Sequence, residues 1–344
     1  MSDARRFDRY DEDDVRVRPT RRGSRPRSKD RPRHEDAVDG RVIAVDRGRY
    51  QVLVDAEPGA ADVTVRAMKS RNLGRRSIVV GDSVGVVGDV SGGRDTMARI
   101  VRQNPRRSVL RRTADDTDPV ERVIVANADQ LVIVTALAHP SPRTRLIDRC
   151  LVAAYDAGLT PILLLTKSDL VGAEGLLAMY GDLDVDVLVT KVTSAGAEGL
   201  AEVRSALSGK VSVLVGHSGV GKSTLVNALV PDASRATGDV NVVTGRGRHT
   251  SSSAIALRLP DDDGWVVDTP GVRSFGLAHV DLDRIIDHFP ELAAGTAGCP
   301  RSCSHDEPDC GLDEFVAREA DAQPNLARRL ESLRRLLRSR SSED

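Results

Sequence analysis

Gly216-His217-Ser218-Gly219-Val220-Gly221-Lys222-Ser223-Thr224 fits G-x-x-x-x-G-K-[ST]. In that spacing the glycines let consecutive backbone N–H groups curl around phosphate oxygens at the start of a helix, where the helix dipole adds to the attraction. Lys222 has the reach for β- and γ-phosphates, and the Ser223 hydroxyl suits Mg²⁺. An apolar run, Val211-Ser212-Val213-Leu214-Val215, precedes the loop and a helical pattern over 223–229 follows it, which is the strand, loop and helix setting the motif needs. Asp268 ends a second short apolar run before Thr269-Pro270-Gly271. It suits a carboxylate that holds Mg²⁺ through water, with the Gly271 N–H near the γ-phosphate.

Reading guanine takes a carboxylate that pairs with the ring N1–H and the exocyclic amino group, a donor pair adenine lacks. Asp169 in Thr166-Lys167-Ser168-Asp169 follows the apolar run Pro161–Leu165 and is placed to do this, while the aliphatic stem of Lys167 can cover the base. Ser194-Ala195, after the next apolar run, would bring a backbone N–H from Ala195 to the guanine O6. Thr-Lys-x-Asp is a degenerate string that a solvated loop explains better in isolation, and a P-loop ATPase in which Asp169 is merely a loop residue is the rival reading. The company of the phosphate loop favours guanine. The order of parts is inverted, because the base-reading stretch precedes the phosphate loop, whereas an ordinary GTPase has the phosphate loop first. The chain therefore reads as a circularly permuted G domain.

The stretch 231–252 is rich in Gly, Thr, Arg and Ser with little periodicity and suits a mobile switch, with Thr250 closing on the γ-phosphate and Mg²⁺. Val272 follows Gly271 where Ras-like proteins place a water-orienting glutamine, and a valine cannot orient water. His249 is then the nearest polar candidate to approach the attacking water, against the plainer reading of a surface histidine in a loop. Cys299, Cys303, His305 and Cys310 have the Cys₃His composition of a closed structural Zn²⁺ site. One Zn²⁺ would stabilise a module too small for a core of its own. Of the 4 cysteines only Cys150 lies elsewhere, which favours a metal site in a reducing compartment over a disulfide scaffold.

The elements that must position these residues follow from periodicity. Residues 1–37 are charged, rich in Arg, Asp, Pro and Ser, and read as a disordered tail. Over 38–104, short β-branched runs at 41–45, 50–54, 63–65, 77–80, 84–87 and 98–101 predict a five- or six-stranded barrel, with an oligonucleotide-binding (OB) fold the leading candidate. A basic joint at 106–112 opens a segment, 105–280, in which strands at 130–135, 161–165, 185–189 and 211–215 alternate with helical stretches at 145–157, 173–180 and 197–207, followed by strands at 254–259 and 265–267. That alternation predicts an α/β domain with a mainly parallel sheet. The last segment, 281–344, holds the Cys/His cluster and a helix with Leu326, Leu330, Leu333, Leu336 and Leu337 on one stripe.

The 344 residues carry a net charge of only -1, yet arginines crowd both ends: charges from Arg16 to Arg33 are nearly all positive, and Arg328, Arg329, Arg334, Arg335, Arg338 and Arg340 follow near the C-terminus. Basic ends bind nucleic acid or remain solvated tails. At 3% aromatic content, arginine–phosphate contact is a more natural mode for RNA than base stacking. No apolar run approaches the roughly 20 residues needed to span a bilayer, and the start lacks a signal-peptide core, so a cytoplasmic protein without a membrane partner is expected.

Taken with Gly81-Asp82-Ser83-Val84, the stretch Glu121–Gln130 and Gly247-Arg248-His249-Thr250, these motifs make the chain resemble the circularly permuted GTPases of the ribosome small-subunit-dependent GTPase A (RsgA) family, from about residue 38 to 335. The resemblance implies an OB domain, a permuted G domain and a C-terminal zinc domain. It also implies a GTP hydrolase using GTP/GDP and Mg²⁺, acting on the small (30S) ribosomal subunit and its 16S rRNA in late maturation; a monomer is expected. A nucleotide-gated RNA-binding checkpoint with incidental hydrolysis is the alternative. Three features depart from the family pattern: Thr166 stands where Asn is usual, Ser251 and Ser252 stand where further threonines are usual, and each outer gap of the Cys/His cluster is one residue shorter.

Overall fold

Alternation of buried and outward residues along five consecutive strands closes the N-terminal part into a barrel. The strands are β1 (Val38–Asp46), β2 (Arg49–Val54), β3 (Val63–Lys69), β4 (Ser83–Val87) and β5 (Ala98–Gln103). This is a computed structural model, and it describes residues 34–54, 62–74, 76–93, 95–113, 120–183, 185–193, 196–231, 254–260, 263–270 and 275–341. The neighbour order is β1-β2-β3-β5-β4, closed by antiparallel pairing of β1 with β4, and β3 runs parallel to β5. Val42, Val52, Val65, Ala67, Val84, Val86 and Ile100 fill the interior. The run 77–80, expected as a strand, makes no ladder: Val80 has only an isolated bridge to Val125, and Asp82 accepts the Val79 N–H at 2.8 Å, turning the chain instead of extending it.

That turn joins the barrel to the nucleotide domain. Asp82 is fully buried and accepts Arg106 Nε at 2.7 Å and Nη2 at 2.8 Å. A buried carboxylate is tolerable because the guanidinium fork pairs it on the spot. Gly81, at φ +89°, lies so close to Ala126 that a Cβ would sit 2.0 Å from its carbonyl oxygen. The stretch read as a plain basic joint contains a strand, β6 (Val109–Arg112), paired antiparallel with β7 (Arg122–Ala126).

Then come β8 (Gln130–Ala136), helix α1 (Thr144–Asp156), β9 (Thr160–Thr166), α2 (Glu174–Tyr180) and β10 (Asp186–Val189). After a small hairpin of β11 (Lys191–Thr193) and β12 (Gly196–Glu198) follow α3 (Leu200–Leu207), β13 (Lys210–Val215) and α4 (Lys222–Leu229). The helix expected over 197–207 thus starts at Leu200, because Gly196–Glu198 pairs back onto Lys191–Thr193. The strands β14 (Ile255–Arg258) and β15 (Gly264–Asp268) complete a sheet ordered β10-β9-β8-β13-β15-β14, parallel except for β14. Connections leave β8 toward β9 on one side and β13 toward β15 on the other, so the loop after β13 opens at the point where the winding reverses. Ligands of doubly wound sheets bind at such a point.

Both sheet faces are covered. Val203, Leu207, Leu225 and Leu229 of α3 and α4 pack on one. On the other, Ile147 and Leu151 of α1 share a single core with Leu312 of α6 (Gly311–Glu319) and with Leu326, Leu330, Leu333, Leu336 and Leu337 of α7 (Leu326–Ser341), beyond a short α5 (Pro290–Ala293). The leucine stripe is therefore spent against α1, where Arg149 also donates to the carbonyls of Phe275 at 2.7 Å and Ser339 at 2.8 Å. The barrel meets the sheet at β1–β14 through Ala44↔Ile255, and the guanidiniums of Arg41 and Arg258 stand 5.4 and 4.9 Å from the Trp265 ring centroid.

Candidate nucleotide site and Cys/His centre

The phosphate-loop motif occupies the turn from β13 into α4, and its glycines have separate reasons to be glycine. A Cβ on Gly216 would lie 2.5 Å from the Val134 carbonyl of β8. Gly219 and Gly221 take φ of +85° and +94°, a region that disfavours side chains. Lys222, at the start of α4, is nine-tenths buried, and its ammonium donates to the Asp268 carboxylate and to the Thr269 carbonyl. Thr269 in turn donates to Leu214 O at 2.7 Å, locking the end of β15 to β13. Ser223 and Thr224 are exposed on the first turn of α4, and His217 and Ser218 line the loop, with His217 Nδ1 2.8 Å from Ser218 O.

The base-reading stretch reaches the same loop from upstream. Thr166 Oγ1 donates to Val220 O at 2.5 Å across 54 residues of sequence, so threonine supplies a brace to the phosphate loop at the position where asparagine is usual. Lys167, at φ +60°, donates through Nζ to Gly219 O at 2.8 Å and also to His139 O. Its stem is thereby held over the space beside the loop. Ser168 is half-buried and Asp169 is exposed beyond it.

Ser194, Ala195, His249, Thr250 and Gly271 lie outside the described residues, as does the Gly247–Thr250 stretch. Two neighbours of the base-reading loop escaped the sequence reading. Val189 pairs with Leu165, and Thr190, fully buried, donates its N–H to Leu165 O at 2.8 Å, so the chain leaves β10 level with the Thr166–Asp169 turn. Lys191 comes next, ion-paired to Glu198 at 2.7 Å; the Glu198 hydrogen bond holds its ammonium above the ordinary lysine value, with Asp169 contributing from across the gap. The signal available in the sequence was that Thr190 and Lys191 end the apolar run directly, while Ser194 comes four residues later. The other overlooked residue is His139, whose carbonyl anchors Lys167 from the β8–α1 loop.

In the C-terminal segment Cys299, Cys303, His305 and Cys310 come together, their ligand atoms all within 4.8 Å of one another. Cys299 Sγ is 3.6 Å from His305 Nδ1 and 3.9 Å from Cys310 Sγ, and Cys310 Sγ is 3.9 Å from His305 Nδ1. A tetrahedron with Zn–S near 2.3 Å puts its sulfurs about 3.8 Å apart, so the set could hold zinc despite its shortened gaps. As free thiols, Cys299 and Cys303 are raised by burial first and then by neighbouring side chains, Cys303 to about 12, so ligation must release protons. Cys303 donates to Glu307 Oε2 at 3.2 Å, and the Ser304 N–H helps hold the Glu307 carboxyl at about 2.

Among the described side chains, the arginines near the C-terminus are not a free basic face. Arg329 pairs with Glu291, Arg334 with Asp313, Arg335 with Asp148 and Arg338 with Asp306, while Arg328 lies 3.5 Å from Asp182. By contrast Arg47, Arg49, Arg66, Arg71, Arg76 and Arg99 of the barrel make no ion pair among the described residues. On the barrel wall the register places Arg49 beside Met68 and Met68 beside Arg99, with Arg66 beside Gln51 one step along.

Comparison with known proteins agrees with this arrangement. The family described as RsgA GTPase matches residues 103–278. A Pseudomonas aeruginosa (strain LESB58) protein named Small ribosomal subunit biogenesis GTPase RsgA is 40% identical over 281 residues, covering 79% of this chain and 78% of its own length. An Azotobacter vinelandii protein of the same name is 40% identical over 299 residues, covering 84% of this chain and 82% of its own. The crystal structure of YjeQ from Thermotoga maritima superposes with a TM-score of 0.62 at 26% identity, over 90% of this chain and 100% of that one. That of YloQ, titled a circularly permuted GTPase, superposes with a TM-score of 0.60 over 91% of this chain and 98% of that one; at 22% identity the likeness concerns the fold. With its phosphate loop braced by residues that precede it in the sequence, and with these matches over most of its length, the chain belongs to the RsgA GTPase family.

Proposed function

We propose that this chain hydrolyses GTP to GDP and phosphate in the biogenesis of the small ribosomal subunit, binding that subunit in one nucleotide state and leaving it in the other. The observation that carries the reading is the closure of Thr166 and Lys167 onto the carbonyls of Val220 and Gly219. It couples a guanine-reading turn to a phosphate loop in the reverse of the usual chain order. In this reading Gly216–Thr224 cradles the phosphates, with Lys222 moving from Asp268 to the β/γ-phosphates. Ser223, Thr250 and Asp268 would then hold Mg²⁺, and Asp169 would select guanine. Bound Mg²⁺ neutralises charge developing on the transferred phosphoryl group. Gly271, Ala195 and His249 keep the roles their positions in the sequence suggest: γ-phosphate contact, guanine O6 contact and water orientation.

One Zn²⁺ on Cys299, Cys303, His305 and Cys310 would brace the segment that carries α7, supported by separations close to those of a zinc tetrahedron. The barrel is the part that meets 16S rRNA, supported by its arginines that make no ion pair among the described residues. Domain limits of 38–104, 105–280 and 281–344, a monomeric state and a cytoplasmic location complete the reading; no helix among the described residues is long and apolar enough to cross a membrane.

The test is GTP against ATP turnover with small subunits, large subunits or neither, for the parent protein and for Asp169→Asn. Small subunits alone should accelerate GTP turnover, and Asp169→Asn should lose the preference for GTP by at least about 10²-fold, as expected when a buried donor pair loses its acceptor. Tight GTP-dependent binding without acceleration would favour a checkpoint in which hydrolysis is incidental. Equal ATP turnover by the parent protein would sink the guanine assignment.

A further inference from the structure

We infer that Arg334 of α7 is a positioning residue of the Cys/His centre: it fixes His305 through the main-chain carbonyl and fastens it to the first turn of α6. The inference rests on the zinc reading above. Arg334 Nε donates to His305 O at 2.9 Å, while Nη1 and Nη2 clasp Asp313 at 2.8 and 2.7 Å. One planar group therefore ties one member of the ligand set, His305, to the first turn of α6, with only 15% of its side chain exposed.

Each contact has a purpose that lysine would not serve. His305 takes φ +67°, a left-handed conformation uncommon for a residue with a side chain, so the peptide that aims its Nδ1 at the cysteines needs an outside hold. Arg334 supplies that hold at the carbonyl. Asp313 keeps the fork in plane, which a flexible ammonium with a single nitrogen could not match. Outer partners that orient a metal ligand in this way tune metal affinity. Next along α7, Arg335 seats on Asp148 of α1, and Arg149 of α1 holds Ser339 O, so the metal loop is fastened to the helix that rests on the nucleotide domain. Arg338 is the internal control. It clasps Asp306 at 2.7 Å with half its side chain exposed and also donates to Glu331, and both of these partners lie outside the ligand set.

The experiment uses the full-length protein. Zinc content is measured by elemental analysis, and zinc affinity by competition with a chromogenic chelator, for the parent protein, Arg334→Gln, Arg334→Lys, Asp313→Asn and Arg338→Gln, with circular dichroism as the check on folding. Arg334→Gln should bind zinc about 10- to 100-fold more weakly, the range seen when outer partners of metal ligands are removed. Arg334→Lys should fall between it and the parent protein, and Arg338→Gln should match the parent. In cobalt-substituted protein, Arg334→Gln should also shift the thiolate-to-metal absorption band. A folded Arg334→Gln with parental zinc affinity would overturn the inference, and so would an equal loss in Arg338→Gln. Should Arg334→Gln not fold, Asp313→Asn decides: several-fold weaker zinc supports the role, and no change refutes it. Parent protein with no zinc would bring down the zinc reading first and this inference with it, an outcome distinct from zinc bound equally by all variants.

Discussion

Arg49, Arg66 and Arg99 on the barrel wall and Arg329, Arg334, Arg335 and Arg338 on α7 are the same side chain put to opposite uses. The barrel arginines stand on outward positions of β2, β3 and β5 and make no ion pair among the described residues. Each of these four α7 arginines has a carboxylate partner, and two of those partners, Asp148 and Glu291, belong to elements outside α7's own neighbourhood in the sequence. An arginine count along the chain marks α7 as one of two basic ends. Between these two regions the exposed, unspent positive charge lies on the barrel wall, because a guanidinium already clasped by a carboxylate has little field left for a phosphate.

Three experiments can break or sharpen that contrast. The largest effect belongs to Arg335→Ala, which strands Asp148, a carboxylate whose side chain is 5% exposed and whose pKa is already raised by burial even with Arg335 beside it. Leaving such a charge unpaired costs about 3–5 kcal/mol. Urea denaturation should register that loss, while RNA affinity per folded molecule stays as it was. A drop in RNA affinity without a loss of stability would put α7 in the RNA surface after all.

Next comes Arg49→Gln with Arg66→Gln and Arg99→Gln. Abolishing one arginine–phosphate interaction takes roughly 0.7–0.9 from the slope of log affinity against log salt, so abolishing three should weaken RNA binding about 10²-fold near physiological ionic strength. Stability should move by no more than about 0.5 kcal/mol for each substitution, since each side chain lies on the outer surface of the barrel. Filter binding across a salt series measures the first and thermal melting the second; an unchanged salt slope would remove the barrel wall from the interface.

The smallest effect concerns acid. Arg338 holds Asp306, and Arg334 holds Asp313, below the ordinary aspartate range. Stability from a lowered carboxylate is fully present above its unfolded value of about 3.9 and is lost as pH falls through the lower folded one. Asp148 has the opposite sign, since burial raises it and its ionised form is the disfavoured one. Amide protection over 326–341, taken relative to the intrinsic exchange rate at each pH, should therefore fall below about pH 4, with the effect blunted by Asp148. Arg338→Gln should flatten part of that response yet change stability at pH 7 by less than about 1 kcal/mol, because the pair is exposed. An acid response independent of Arg338 would mean that the Asp306 pair does not hold α7 down.

The strand, loop and helix of the phosphate-loop motif were legible because they are local. A glycine pattern between an apolar run and a helix start needs no distant partner to be recognised, and the same is true of Asp268 at a strand end. The barrel was legible as alternating strands, but 77–80 shares their β-branched composition and still forms no ladder, since Asp82 captures the Val79 N–H and commits the chain to a turn. The helix expected from 197 loses its first turn to the β11–β12 hairpin, whose pairing depends on residues before the tip. Lys191 went unnoticed because its nearness to Asp169 follows from β10 lying beside β9, a neighbourhood absent from the linear order.

What the sequence determined by itself was the kind of parts and their order: a phosphate-loop motif, an upstream Thr-Lys-Ser-Asp turn, a Cys₃His set, a leucine stripe. These depend on residue type and on spacing within a turn or two, which backbone sterics and side-chain chemistry settle locally. Only the tertiary structure decided which parts touch. It brought Thr166 and Lys167 onto the phosphate loop across 54 and 52 residues, set the α7 leucines against α1, and chose which arginines would find a carboxylate. The reason is physical: a charge or a hydrogen-bonding group has no fixed meaning until folding brings a partner within a few ångströms and removes the water that would otherwise screen it.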